Sequence, residues 1–580
     1  MSPSRPDHLT WRHRVVIGLT ALVLVALGVR LVQVQVLDHN DYLLQATRTR
    51  VGAVDVPAPR GAILDATGYP LATSVDTVDV YVDRYLWRDR AKAFGAATAL
   101  ARMLDESVES LMSTGAEQDN GDAIVRRDVD YARGERIRAA DLWGVHLVPS
   151  SVRVYPEGDI AGQLVGYVGR DHEGLWGIEA DYDNVLRGKP GWISTERDPL
   201  GRPIAFGPRS ERSPASGGEV QLTIDRFMQA IVEARLDEAL QQFKAPSGSI
   251  LVMDPKTGAI LAMASRPTVS LSDIDLNSSD LLDLVRNRVV TDLYEPGSVL
   301  KTLTTAAALD LGKVTPDSTY EDTGAVDVGN YTIRNWDLVG HGVVDVRTYL
   351  QKSLNTGAVW LSEELGAAAF YAYLRRFGIG ESTHVGLAGE AEGLMRTPDD
   401  PNWYPVDLAT NAYGQGLAAT PLQVLTAINS FATDGVLMRP YIVSKIVTGD
   451  QVRVFQPVAV RQAVSPATAK TMLALMRDVV QGVPHHGARV PGYSVAGKTG
   501  TTLVSIPTGY DLDTTIASFA GLVPYESPAI SILVKVDQPS GGLNLGGEVA
   551  APVFARVALD LMHYLNVAPT KPSPAVVTAP

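Results

Sequence analysis

Tyr294-Glu295-Pro296-Gly297-Ser298-Val299-Leu300-Lys301, continuing as TLTTAAALDLG to Gly312, carries the chemistry of this chain and, with it, the fold. Pro296 and Gly297 interrupt whatever precedes them, Ser298 opens a strongly apolar helix, and Gly312 ends it. Lys301 stands three residues after Ser298, so the two side chains share a helix face. A lysine buried on an apolar helix is penalised in its charged form, which lowers its pKa and makes it a neutral base beside a hydroxyl. A serine then becomes a nucleophile without histidine. In isolation the pattern S-x-x-K is weak, because serine commonly caps helices and lysine commonly lies on surfaces.

Two further segments extend the pattern. Ser353-Leu354-Asn355, within LQKSLNTGAVW, offers a hydroxyl that can relay a proton and an amide that both donates and accepts. Lys498-Thr499-Gly500-Thr501 follows Gly492-Tyr-Ser-Val-Ala-Gly497. There the lysine supplies a fixed positive charge, the glycines let a substrate backbone lie close, and a strand-edge N–H such as that of Thr501 can hold an oxyanion. Gly492 to Thr499 also satisfies the phosphate-loop pattern G-x-x-x-x-G-K-[ST]. A phosphate loop, however, follows a buried strand and opens a helix, whereas Pro484, Gly487 and Pro491 precede this segment and Gly500, Pro507 and β-branched residues follow it. A second K-T-G, Lys256 to Gly258, follows Pro255 between two apolar runs and reads as a hairpin turn.

Composition narrows the remaining classes. A chain of 580 residues exceeds one ordinary domain, and 45% hydrophobic with 20% charged residues is a globular composition. A net charge of −14 argues against nucleic acid, and the absence of cysteine removes disulfides, thiolate metal sites and cysteine nucleophiles. His172-Glu-Gly-Leu-Trp176 has tryptophan where a second zinc ligand belongs, and His485-His486 has no third ligand nearby in sequence.

From Val15 to Val29 no charge occurs, and the apolar run continues past Arg30 to Leu37. Those positions reach roughly 35 Å at about 1.5 Å per residue, enough to cross a hydrocarbon core of about 30 Å with Arg30 snorkelling. No small-residue cleavage pattern lies between Leu37 and Tyr42, so the segment reads as an anchor and not as a signal peptide. Arg5, Arg12 and Arg14 precede it, whereas Asp38, Asp41 and Asp55 offset Arg48 and Arg50 after it. The positive-inside rule puts the N-terminus in the cytoplasm and the bulk outside. Further on, the polar stretch between Ala205 and Gly218 reads as a linker. Beyond it, strands at Val220–Asp225 and around the Lys256 turn, a helix near Phe227–Gln242, and late strands TTIASFAGLV and AISILVKVD describe an α+β sheet domain.

S-x-x-K, S-x-N and K-T-G, in that order on one membrane-tethered chain, resemble the class B, monofunctional penicillin-binding proteins of the division or elongation type. Supporting segments are Arg60-Gly-Ala-Ile-Leu-Asp65 with Gly68, Gly174-Leu-Trp-Gly-Ile-Glu179, Leu222-Thr-Ile-Asp225, Gly414-Gln-Gly416 with Thr420-Pro421, and Gly546-Gly547 with Ala550-Ala-Pro552. Ala66 departs from the family, which usually has arginine after the aspartate; this segment is placed in the first domain and away from catalysis. The resemblance implies a cytoplasmic tail (1–14), a transmembrane helix (15–37), a pedestal domain of the dimerisation type (38–210), a transpeptidase domain with an antiparallel sheet flanked by helices (218–565) and a disordered tail (566–580). It implies a D,D-transpeptidase that cross-links peptidoglycan stem peptides and is acylated by β-lactams, with Ser298 as nucleophile, Lys301 as base, Ser353 as proton relay and Asn355 as clamp on the substrate amide. Lys498, Thr499 and Thr501, around Gly500, would hold the substrate carboxylate, with backbone N–H groups of Ser298 and Thr501 as oxyanion hole. It implies no metal or diffusible cofactor, and as partners the membrane and a polytopic glycan polymerase of the SEDS type. The competing classes are a non-catalytic activator of such a polymerase, a β-lactamase and a phosphate-loop NTPase. Protease added to intact protoplasts is expected to digest nearly the whole chain and spare a small fragment containing Val15–Val29; a protected large domain overturns the topology.

Overall fold

The computed structural model describes residues 8–39, 41–42, 51–115, 121–196, 209–506 and 509–570. Residues 1–7 of the expected cytoplasmic tail, 197–208 around the start of the expected linker, and 571–580 of the expected tail lie outside the described residues. Helix α1 (His8–Val32) continues into a π-helical turn, Gln33–Leu37. The run Trp11–Leu37 is long and apolar enough to cross a membrane. Its large apolar side chains are exposed along its length, an arrangement suited to lipid and costly in water. Arg30 Nη1 donates to Gln33 Oε1 at 2.8 Å, which groups the polar side chains near the end of the span.

The chain forms two compact units: Met1–Pro59, Val75–Val152 and Gly188–Ser216 make the first, and Arg60–Ser74, Arg153–Arg187 and Gly217–Pro580 the second. In the first, Val78, Val80, Val82, Trp87, Leu100 and Leu104 are buried together where the helix Arg90–Leu104 covers an antiparallel strand pair. Three strands, Val51–Val56, Gly191–Glu196 and Arg209–Arg212, form a separate small sheet. Arg209–Arg212 lies in the stretch expected to be a structureless linker. It forms a strand because main-chain pairing with Gly191–Glu196 needs no apolar side chain.

The contiguous 38–210 segment is thus shared between the two units, and the Arg60–Asp65 motif is built into the second one. Ile63–Leu64 pairs in parallel with Val220–Gln221, a contact no local pattern announces. Beside it, Arg60 Nε donates to Glu179 Oε2 (2.6 Å), Arg60 Nη1 to Asp183 Oδ1 (2.6 Å), and Arg153 Nε to Glu179 Oε1 (2.7 Å). Glu179 is fully buried, so this cluster survives desolvation only because two guanidinium groups neutralise and hydrogen-bond one carboxylate. Next to Ala66, buried Asp65 has the guanidinium of Arg226 3.6 Å away, stacked over Tyr69.

From there the second unit runs through α2 (Arg226–Phe243), β1 (Ser247–Met253), β2 (Ile260–Arg266), α3 (Lys301–Asp310), α4 (Val346–Lys352), α5 (Asn355–Leu365), α6 (Pro466–Gly482), β3 (Ala496–Ile506), β4 (Gly509–Val523), β5 (Ile530–Asp537) and α7 (Ala550–Tyr564). Asp225 caps α2 by accepting from Phe227 N and Met228 N. Met228, Val232, Leu236, Ala239 and Phe243 then form one buried stripe, which joins α7 in a core against the sheet. The sheet order is β2-β1-β5-β4-β3, antiparallel throughout. Lys256–Gly258 is the β1–β2 turn, with Gly258 at φ +82. Gly492–Thr499 feeds strand β3 and opens no helix, which overturns the phosphate-loop alternative. The strand sits at the sheet edge, and on its other side lies the turn that carries Ser298.

Glu179→Ala strands two buried guanidinium groups and is expected to cost about 3–5 kcal/mol. Thermal unfolding is expected to show a clear downward shift, while Glu173→Ala, which breaks an exposed pair with Arg187, leaves the transition nearly unmoved.

Candidate active site

Ser298 lies in a short 3₁₀ turn, Gly297–Val299, and the α-helix proper begins only at Lys301. The expected single helix is split because Gly297 adopts φ +57 and its N–H donates to Gly414 O at 3.1 Å. Gly414, itself at φ +84, has no room for a side chain, since a Cβ there would stand 2.2 Å from Gly297 O. The two backbones are pressed together directly behind the serine.

Lys301 is fully buried, and its Nζ donates to Ser353 O (2.6 Å), Asn355 Oδ1 (2.9 Å) and Ser353 Oγ (3.3 Å). These acceptors converge because α4 ends in a left-handed residue, Ser353 at φ +55, before α5 starts at Asn355. A left-handed residue other than glycine costs about 1 kcal/mol, and here it turns carbonyl and hydroxyl onto the same ammonium. Asn355 is spoken for at both ends: Oδ1 accepts from Lys301, and Nδ2 donates to Arg334 O at 2.8 Å. Of the clamp expected there, one N–H remains for a substrate.

A buried polar network fixes this corner. Asn335 Oδ1 accepts from the N–H of Asn355 (2.9 Å) and of Thr356 (3.2 Å), while its Nδ2 donates to both carboxylate oxygens of Asp322 (2.9 and 3.0 Å). Asp322 also accepts from Thr356 Oγ1, Gly324 N and His341 N. Neither Asp322 nor Asn335 carries a spacing signal in the sequence; only burial with satisfied partners marks them.

From the opposite side, buried Lys498 on β3 donates to Ser353 Oγ at 3.0 Å and to Thr499 Oγ1 at 3.2 Å. One hydroxyl therefore joins two lysines. Burial, and next the charge of Lys498, holds Lys301 well below the usual lysine value; burial pushes Lys498 down to about 7. Lys498 is thus not the permanent cation that its sequence position suggested.

A cleft of about 370 Å³ opens over the lysines, lined among others by Ser298, Ser353, Asn355, Thr499, Thr501 and His486. Among the described residues none holds the Ser298 hydroxyl in a hydrogen bond, so it stands free in the cleft. Thr501 Oγ1 accepts from Gly546 N at 2.8 Å. Gly500 packs against strand β4 and the segment just before Ser298. A Cβ there would meet Ser518 Oγ at 2.4 Å and Pro296 O at 2.5 Å. No cluster of three or more potential metal ligands occurs among the described residues.

A free serine over two buried lysines, one held well below the usual lysine value by burial and by its neighbour's charge, fits a serine acyltransferase. The chain belongs to the penicillin-binding protein transpeptidases: residues 248–559 match the penicillin-binding protein transpeptidase domain and residues 55–222 the penicillin-binding protein dimerisation domain. Stage V sporulation protein D of Bacillus subtilis is 34% identical over 517 residues, covering 88% of this chain and 79% of that protein. Peptidoglycan D,D-transpeptidase FtsI of Escherichia coli K12 is 29% identical over 575 residues, covering 97% and 93%. The apo crystal structure of penicillin-binding protein 3 from Mycobacterium tuberculosis superposes with a TM-score of 0.69 at 28% identity, covering 90% of this chain and 99% of that one.

Asn335→Ala removes the acceptor for two α5 amides and frees Asn355 to drift. Penicillin acylation is expected to slow about tenfold or more, read as the rate of labelling with a fluorescent penicillin, although Asn335 lies buried beneath the reacting groups.

Proposed function

We propose that Ser298 is the nucleophile of peptidoglycan D,D-transpeptidation and Lys301 its base. The observation that carries this is the hydrogen bonding of Lys301. A neutral amine has two N–H donors and one lone pair, and the carbonyl oxygens of Ser353 and Asn355 can only accept. They take both donors, so once Lys301 is neutral its contact with Ser353 Oγ at 3.3 Å is no longer a donation and the lone pair is left for a hydroxyl hydrogen. Ser298 Oγ attacks the carbonyl carbon of the penultimate D-Ala of a stem peptide as its proton passes to Lys301 Nζ. The N–H groups of Ser298 and Thr501 hold the oxyanion. The intermediate collapses, the C–N bond breaks, and the departing D-Ala amine takes a proton from Lys301 through the Ser353 hydroxyl. An acceptor amine on a neighbouring strand then attacks the ester, gives up its proton along the same route, and restores Ser298 with a new peptide bond formed.

Lys498 supplies the complementary charge. Two ammonium groups sharing one buried hydroxyl cannot both stay charged, and the order of the shifts leaves the proton on Lys498. There, with Thr499 and Thr501, it receives the terminal carboxylate of the substrate. The helix α1 would anchor the chain with its N-terminus in the cytoplasm, and the Arg30–Gln33 pair would offer a polar contact to a polytopic glycan polymerase, where polar side chains are favoured over lipid.

Labelled penicillin is expected to remain on Ser298, and Ser298→Ala to abolish labelling. Lys301→Arg is expected to fail as fully as Lys301→Ala, because guanidinium does not deprotonate; an active Arg variant sinks the base assignment. Acylation should be bell-shaped in pH: it rises as Lys301 loses its proton and falls above about 7 as Lys498 loses its own. With a bound carboxylate the alkaline limb moves up, because an anion beside Lys498 favours its charged form. A flat profile through neutrality contradicts this division of charge.

A further inference from the structure

His486 lies in the loop between α6 and β3, outside the three motifs, and lines the same cleft as Ser298, Thr499 and Thr501. Its position is built rather than incidental. The next residue, Gly487, passes so close to the start of α7 that a Cβ there would stand 2.7 Å from Gly547 O and 3.0 Å from Pro552 Cδ, which pins the loop. Ala488 N donates to His486 Nδ1 at 3.1 Å, so in the neutral ring the proton sits on Nε2. Behind the ring lies Phe519 of β4, with ring centroids 6.0 Å apart. Burial, and then the charges of Lys498 and Arg489, lower its pKa to about 4, so at neutral pH it is an uncharged donor. Among the described residues no acceptor takes that Nε2–H.

We propose that His486 is a substrate-binding residue that donates Nε2–H to the terminal carboxylate of the stem peptide, beside Lys498 and Thr499. This rests on reading the cleft as a transpeptidase site. A neutral donor suits the place. A second cation next to Lys498 would depress Lys498 further, whereas imidazole adds a hydrogen bond to the anion without competing for the proton. Histidine contributes here to affinity for the anion and takes no part in the proton transfers at Ser298.

The test compares a penicillin with its methyl ester, which lacks the anion, on the full-length chain in detergent. His486→Leu is expected to lower the second-order acylation rate with the penicillin about tenfold, through weaker binding and not a slower acylation step, while the rate with the ester stays unchanged. His486→Gln, which keeps an N–H donor, is expected to restore most of the loss. An equal fall with both compounds assigns His486 to loop packing and overturns the proposal, as does no fall with either. Failure of the underlying reading looks different: the unaltered chain would not be labelled, or Ser298→Ala would still be.

Discussion

Two ammonium groups buried around a single hydroxyl cannot both keep their charge, and the rest of the second unit is arranged to hold them there. Lys301 approaches Ser353 from α3 and Lys498 from β3. Separated, each would be an ordinary buried lysine that simply loses its proton. Brought together they divide the labour, one depressed further than the other because it feels both the dry interior and its neighbour. The left-handed turn at Ser353 and the Asp322–Asn335 network beneath Asn355 place acceptors on Lys301. The glycines at 297, 414 and 500 let three backbones close around the serine. Their strain and packing have one result, a base and a cation a hydroxyl apart.

Much of this was legible in the sequence. The three short motifs name the groups that converge, and the apolar stripe of α2, the turn at Gly258 and the late strands were read from local pattern. What escaped has a common physical character. Ile63–Leu64 joins the second unit through main-chain pairing with a strand more than a hundred and fifty residues away, and periodicity carries no trace of such a partner. Arg60, Arg153 and Glu179 look like surface charges until they are seen to neutralise one another in the interior. Gly500 is close-packed against Pro296 O and Ser518 Oγ, neighbours that a glycine in sequence does not name. Asn335 and His486 belong to no motif, and their importance comes from what surrounds them.

The same contrast separates what a family pattern requires from what an individual chain improvises. Ala66 removes an arginine commonly found next to the buried Asp65, yet the carboxylate has a guanidinium within reach, supplied by Arg226 at the start of α2. Asp65 also accepts from the N–H groups of Thr67 and Tyr69, so the buried carboxylate is satisfied without a guanidinium at position 66.

Strand β3 is the outermost strand of its sheet, and its far edge faces the cleft side of the fold instead of another strand. Most proteins blunt such edges, because a row of open N–H and C=O groups will template whatever extended chain arrives. Here the edge strand carries Thr499 and Thr501, and on the function proposed above an extended stem peptide would add beside them as one more strand. Recognition of that kind is written in the main chain, which mutation cannot rewrite. An inhibitor that borrowed its grip from the edge itself would be hard to evade by exchanging side chains, since every residue but proline presents the same N–H and C=O groups.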